Sequence, residues 1–237
     1  MAMSGAAIGL AVALPLYANA MVVAARCRGW DLWAAYTPGN AAVGLALVTL
    51  TTFLGNWSGA LGSWVGDDSV LHGLLAGAVV ALPVVAIAWS PTRLGRSVRG
   101  AGVGGVTPAT LAYRLIVQVL LCTVAFEELA FRGVLYGGLA AAYGSIMAVW
   151  GSAASFALWH TALLIVMFAD HAPRRRAALV TAGLLAFGLL GLGLAWLRAT
   201  TGGLSGPLAA HAALDLIMIG GMAAAGPRRI GDQQAHG

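Results

Sequence analysis

Long runs of residues without charge constrain this chain more than any other feature of it. A bilayer span needs roughly 20 mostly apolar residues. About seven such runs occur, at 5–25, 41–60, 70–90, 110–140, 146–168, 177–198 and 206–225. Only 9% of the 237 residues are charged and 60% are hydrophobic, whereas a soluble domain carries about 25% charge. The chain reads as all-α, a polytopic bundle of about seven to eight transmembrane helices. The fourth run is too long for one straight span. It tilts, extends beyond the bilayer, or breaks near Gly133, Gly137 and Gly138. The first run lacks a positive n-region and is long enough to cross, so it reads as a span and not as a cleaved signal.

The charges lie mostly between the runs, and their sign alternates. Arg26, Arg28 and Asp31 follow the first run, and Asp67 and Asp68 precede the third. Arg93, Arg96 and Arg99 come next, then an uncharged turn near 141–145, then Asp170 with Arg174, Arg175 and Arg176. Arg198 stands at a helix end, and Arg228 and Arg229 lie in the tail. Arginine is enriched in every second loop, as cytoplasmic loops are. The expected topology is multi-pass in the cell membrane, N-terminus outside and C-terminus cytoplasmic. All 13 basic residues are Arg and are scattered singly or in short groups, so they read as topology determinants and not as a nucleic-acid surface. Cys27 and Cys122 form no CxxC pair and no disulfide framework. The Gly-rich stretch 99–108 reads as a flexible cytoplasmic linker, and GVLYG at 133–137 matches the GxxxG pattern of close helix packing.

Polar residues inside the spans are few, which makes each one informative. A charge at the bilayer centre costs roughly 2.5–3.5 kcal/mol on insertion scales. Glu127 and Glu128 are adjacent, are the chain's only glutamates, and sit in FEELAFR in the fourth run. Residues four apart share a helix face, so Glu128 and Arg132 can pair and lower each other's burial cost. Glu127 is rotated by about 100° from Glu128. It is left without a local counter-charge, and a buried carboxylate of that kind suits a general base. In FALWH, Phe156 and His160 share a face. In GGLSGPLAAHAALD, Gly206-Pro207 fits a helix start, and His211 and Asp215 lie four apart on one face. Taken singly, His160 suits a helix–helix hydrogen bond, and Asp215 suits an orienting partner for His211. Taken together, two Glu, one Arg, two His and one Asp in three late spans read as a catalytic or transport core behind a scaffold.

EELAFR, FALWH and HAALD, in that order, fit EExxxR, FxxxH and HxxxN/D. The chain thereby resembles the CPBP family of intramembrane endopeptidases, which includes CAAX prenyl proteases and bacteriocin-processing and immunity-type proteins. The resemblance covers about 110–225. It divides the chain into N-terminal scaffold helices (1–105), a CPBP-type helical core (106–225) and a cytoplasmic tail (226–237). It implies a polar cavity within the membrane and a membrane-associated peptide or protein as substrate. Glu127 then activates water beside His160, with His211 and Asp215 near the oxyanion and with Glu128, Arg132 and Phe156 in support. The family pattern often has Asn where this chain has Asp215. An amide can donate to an oxyanion, whereas an ionised carboxylate only accepts. Asp215 must be protonated, orient His211, or bind a metal. Glu127, His160, His211 and Asp215 suit Zn²⁺ in ligand type. HExxH spacing is absent, which favours metal-independent water activation with no cofactor. The rival readings are a non-catalytic immunity or interaction protein and a proton-coupled transporter. A transporter would show repeated halves, whereas the polar residues here are confined to one half.

Overall fold

The computed structural model describes residues 2–53, 67–90, 92 and 107–224. Arg93, Arg96, Arg99, most of the Gly-rich stretch and the tail from 226 lie outside the described residues. The described chain is an all-helical bundle. Its helices are α1 (Ala2–Arg28), α2 (Leu32–Phe53), α3 (Asp67–Trp89), α4 (Pro108–Tyr143), α5 (Ser145–Trp159), α6 (Thr161–Met167), α7 (Pro173–Thr201) and α8 (Ser205–Ala224). Six described stretches are long and apolar enough to cross a membrane: Gly5–Arg28, Asp68–Trp89, Pro108–Tyr143, Ser145–Met167, Pro173–Thr201 and Ser205–Ala224. The 22-residue α2 stands beside them. Leu16, Leu45, Val79, Ile146, Leu189 and Trp196 are all exposed. A surface so apolar is solvated by lipid, because water would exact a transfer cost at every one of these side chains. The protein is a multi-pass membrane protein.

Helix boundaries follow local chemistry and depart from the expected runs in four places. First, α2 begins at Leu32, well before the expected 41. Asp31 caps it, with the Ala34 N–H donating to Asp31 Oδ1 at 2.9 Å, and Pro38 lies within the helix. Residues 54–60 of the expected second span lie outside the described residues. Second, α4 does not break at its glycines. It runs for 36 residues to Gly144, whose φ of 86° ends it. At about 1.5 Å per residue it outreaches a hydrocarbon core of about 30 Å. Two stretches of it, Arg114–Ala125 and Glu128–Leu135, are wide turns of the π type. Third, the expected fifth span is interrupted at His160 (φ −90°, ψ 1°), which divides it into α5 and α6. Fourth, α7 runs on past Arg198 to a left-handed Gly202 (φ 70°). Arg198 is therefore buried within a helix and is not a loop charge.

The widening of α4 redirects its carbonyls toward neighbouring helices. Ser152 on α5 donates to Phe131 O at 3.1 Å, and Arg198 on α7 donates to Arg132 O at 3.1 Å. Packing of α8 depends on a different glycine pair from GVLYG. A Cβ added at Gly73 would run into Gly206 O, and one at Gly77 into Ala210 O. These two glycines, four apart on α3, let α3 lie directly against the backbone of α8, one residue short of His211.

Candidate active site

The site grows from two adjacent residues of α4 that face different neighbours. Glu128 and Arg132 form the ion pair that their spacing allows, at 3.2 Å, with both side chains buried. Arg132 Nη2 also donates to Gly191 O at 3.3 Å, and the guanidinium lies 4.2 Å from the centre of the Phe156 ring. Glu128 Oε1 receives a second hydrogen bond, from His211 Nδ1 at 2.8 Å. Its other oxygen, Oε2, has no hydrogen-bond partner among the described residues. Glu127 turns the other way. Its Oε1 accepts from the Trp159 indole N–H at 3.1 Å, and its Oε2 stands 4.0 Å from His211 Nε2.

His160 owes its position to the corner between α5 and α6. A helix interrupted in a membrane leaves backbone groups that no water can satisfy. Asn19 on α1 takes up both sides of the break. Its Oδ1 accepts from the Ala162 N–H at 2.6 Å, and its amide donates to Leu158 O at 3.0 Å. His160 Nδ1 lies 2.9 Å from Phe156 O. A carbonyl only accepts, so Nδ1 carries the hydrogen and Nε2 is left to act. The imidazole is stacked on Phe187 of α7 at 3.7 Å, the planes 7° apart. Phe156 thus has His160, His211 and Arg132 on its faces and edges.

His211 and Asp215 come from α8. With Nδ1 engaged by Glu128, only His211 Nε2 is available, and it lies 3.8 Å from Asp215 Oδ2. The structure therefore brings Glu127, Glu128, Arg132, Phe156, His160, His211 and Asp215 into one cluster. A cavity of about 290 Å³ opens onto part of it. Tyr36, Asn40, Thr123, Glu127, Trp159 and His160 supply its polar lining, with Leu32, Trp33, Leu163 and Met167 as the apolar remainder. His211 and Asp215 are not among the residues lining this cavity; His211 Nε2 approaches Glu127 Oε2 from α8 at 4.0 Å. A second, more apolar groove of about 480 Å³, shared with Asn40, reaches Glu128.

Three contributors come from helices that the sequence reading took as scaffold. Asn19 fixes the His160 corner. Tyr36 lines the cavity and donates from its hydroxyl to Ala18 O at 3.0 Å. Asn40, buried, accepts from Tyr17 at 3.1 Å and donates to Cys122 O at 2.8 Å. A search for charges alone passes over asparagines. The signal was a carboxamide within an apolar span, which needs partners as a charge does. Trp159 was missed for the opposite reason: it counts as apolar, yet its N–H requires an acceptor when buried.

In this geometry the donors of the cluster stand wider apart than a bound Zn²⁺ would hold them. Tetrahedral Zn²⁺ with bonds of about 2.0–2.1 Å holds its ligands about 3.4 Å apart. The separations of Glu127 and Asp215 from His211 Nε2 are wider, at 4.0 and 3.8 Å, although the Nδ1 bonds to Glu128 and Phe156 O leave both Nε2 atoms open. Among the described residues no group of three or more His, Cys, Asp or Glu is placed to hold a metal ion.

The all-helical membrane bundle thus buries two carboxylates and two imidazoles next to a cavity. Residues 108–217 match the family described as Type II CAAX prenyl endopeptidase Rce1-like. That match is consistent with the CPBP intramembrane endopeptidases that the three motifs resemble. No curated protein and no solved structure matches the chain.

Proposed function

We propose that the chain hydrolyses a peptide bond of a membrane-associated protein or peptide, with Glu127 as the general base. One observation carries this reading: Glu127 is buried, yet with His160 it lines the 290 Å³ cavity. A water between them loses a proton to Glu127 as its oxygen attacks the scissile carbonyl, and His160 Nε2 orients that water. The tetrahedral intermediate then collapses. The C–N bond breaks, and Glu127 returns the proton to the leaving amine. His211 Nε2 serves the oxyanion side when it carries a hydrogen, and Asp215 orients it from 3.8 Å. Glu128 and Arg132 hold His211 and the α4 backbone in register. Water activation without a metal is part of this proposal, and metal analysis of the purified protein tests it separately.

The reading extends to topology. Leu32 and Trp33 follow Arg26 and Arg28 at one end of the bundle. Met167 shortly precedes Arg174, Arg175 and Arg176. The cavity thus belongs to the Arg-rich end, the cytoplasmic one under the positive-inside rule, with the N-terminus outside and the C-terminus cytoplasmic. The direct test of the function is proteolysis by wild type against a folded Glu127→Ala protein. Turnover that survives the substitution refutes it.

A further inference from the structure

Among the buried aromatic residues, Trp159 combines two features. Its indole has one polar atom, a donor, and that donor is spent on Glu127 Oε1 at 3.1 Å. Its ring is boxed by four others from three helices: Tyr17 of α1 at 5.8 Å, Tyr36 of α2 at 6.5 Å, and Phe126 and Phe131 of α4 at 5.7 and 5.4 Å. A ring so enclosed cannot change rotamer without displacing its neighbours. The hydrogen bond it makes is therefore fixed in direction. Trp159 also immediately precedes His160, at the corner that Asn19 ties down, and both residues line the cavity with Glu127.

Glu127 has no comparable restraint of its own. Its neighbour Glu128 is held by Arg132 and His211, whereas Glu127 accepts a hydrogen bond only from Trp159 among the contacts described. A carboxylate that must take a proton from a particular water needs one fixed orientation. We infer that Trp159 is a positioning residue, whose indole N–H pins Glu127 Oε1 so that the carboxylate presents Oε2 to the reacting water and His211. This rests on the proposed role of Glu127 as base. The boxing rings supply rigidity, and the N–H supplies direction.

The N–H can be removed while the packing is nearly kept. Trp159→Phe removes the donor and part of the ring; replacing Trp159 by 3-benzothienylalanine puts sulfur in place of the N–H at almost unchanged shape. The probe is an internally quenched peptide ending in cysteine and three further residues, with and without a prenyl group, assayed in proteoliposomes. Both variants should keep the KM of wild type; the benzothienyl protein should also keep its unfolding temperature, whereas Trp159→Phe, which leaves space among the boxing rings, should unfold lower. Their kcat should fall roughly 10- to 150-fold, the rate equivalent of a hydrogen bond to a charged group. An unchanged kcat for the benzothienyl protein overturns the inference. So does a loss confined to stability, which would make Trp159 a packing residue only. Glu127→Ala in the same assay separates the two claims. If it is inactive while the Trp159 variants are fully active, the base stands and the pin falls; if it is active, both fall. A readout without turnover uses the resonance Raman band of the indole N–H. Wild type minus Trp159→Phe isolates it among the chain's 8 tryptophans. Glu127→Ala should move that band to its free position, and a band that stays put overturns the inference.

Discussion

Replacing Glu128 by Ala should destabilise the protein by about 3–5 kcal/mol, the cost of breaking a buried ion pair from one side. Arg132 is fully buried and keeps its charge in any protein environment. Its attraction to Glu128 at 3.2 Å is worth about 5 kcal/mol at an effective dielectric constant near 20. After the substitution its described partners are Gly191 O at 3.3 Å and the face of Phe156. One carbonyl and one ring do not replace a carboxylate. His211 Nδ1 loses its 2.8 Å partner in the same step, which adds roughly 1 kcal/mol. A domain stable by about 5–15 kcal/mol would survive in weakened form. The measurement is reversible unfolding in detergent, comparing wild type, Glu128→Ala, Glu128→Gln and the double variant Glu128→Leu/Arg132→Met. Gln keeps an acceptor without the charge and should fall between Ala and wild type. The double variant removes both charges and should recover much of the loss. An Ala protein within about 0.5 kcal/mol of wild type, the range of an ordinary surface change, would refute the reasoning. So would a double variant no better than the single one.

Other substitutions test the supports of the site. Asn19→Leu removes the side chain that satisfies Ala162 N–H and Leu158 O at the helix interruption. It should cost about 2–3 kcal/mol and lower turnover by moving His160, and a stable, fully active protein would contradict that role. Gly77→Leu drives a side chain into the Ala210 carbonyl of α8 and should displace His211. Unfolding and activity should both suffer, more than for Gly9→Ala, an exposed helical position on α1 with open space around it. Cys27, exposed at the end of α1, should resist an impermeant maleimide on intact cells and react after permeabilisation. Labelling from outside would reverse the proposed topology.

Much of the fold was legible because a bilayer leaves few choices. Apolar runs of span length must be helices, and the runs give the bundle. The Glu128–Arg132 pair was legible from spacing alone, since four residues along a helix set the contact. The three motifs named their residues, but spacing could not say which atoms meet. That His211 Nδ1 would go to Glu128, leaving Nε2 toward Glu127 and Asp215, depends on how α8 crosses α4. That crossing is set by Gly73 and Gly77 on α3, which no charge pattern marks. The interruption at His160 was invisible for a similar reason. FALWHTALL has no proline or glycine, and the break is stabilised by Asn19, 139 residues before Leu158 in sequence separation. Boundaries failed where a cap or a buried polar group overrode hydropathy, as at Asp31 and Arg198.

The central claim is that the two adjacent glutamates do different work. On the proposed function Glu127 is the base, and Glu128 is part of the frame. The most direct test is cleavage of a quenched membrane-anchored peptide by Glu127→Ala, alongside its unfolding curve in the same detergent. The account predicts a protein that unfolds like wild type and does not cleave. A Glu127→Ala protein that cleaves at the wild-type rate would contradict it.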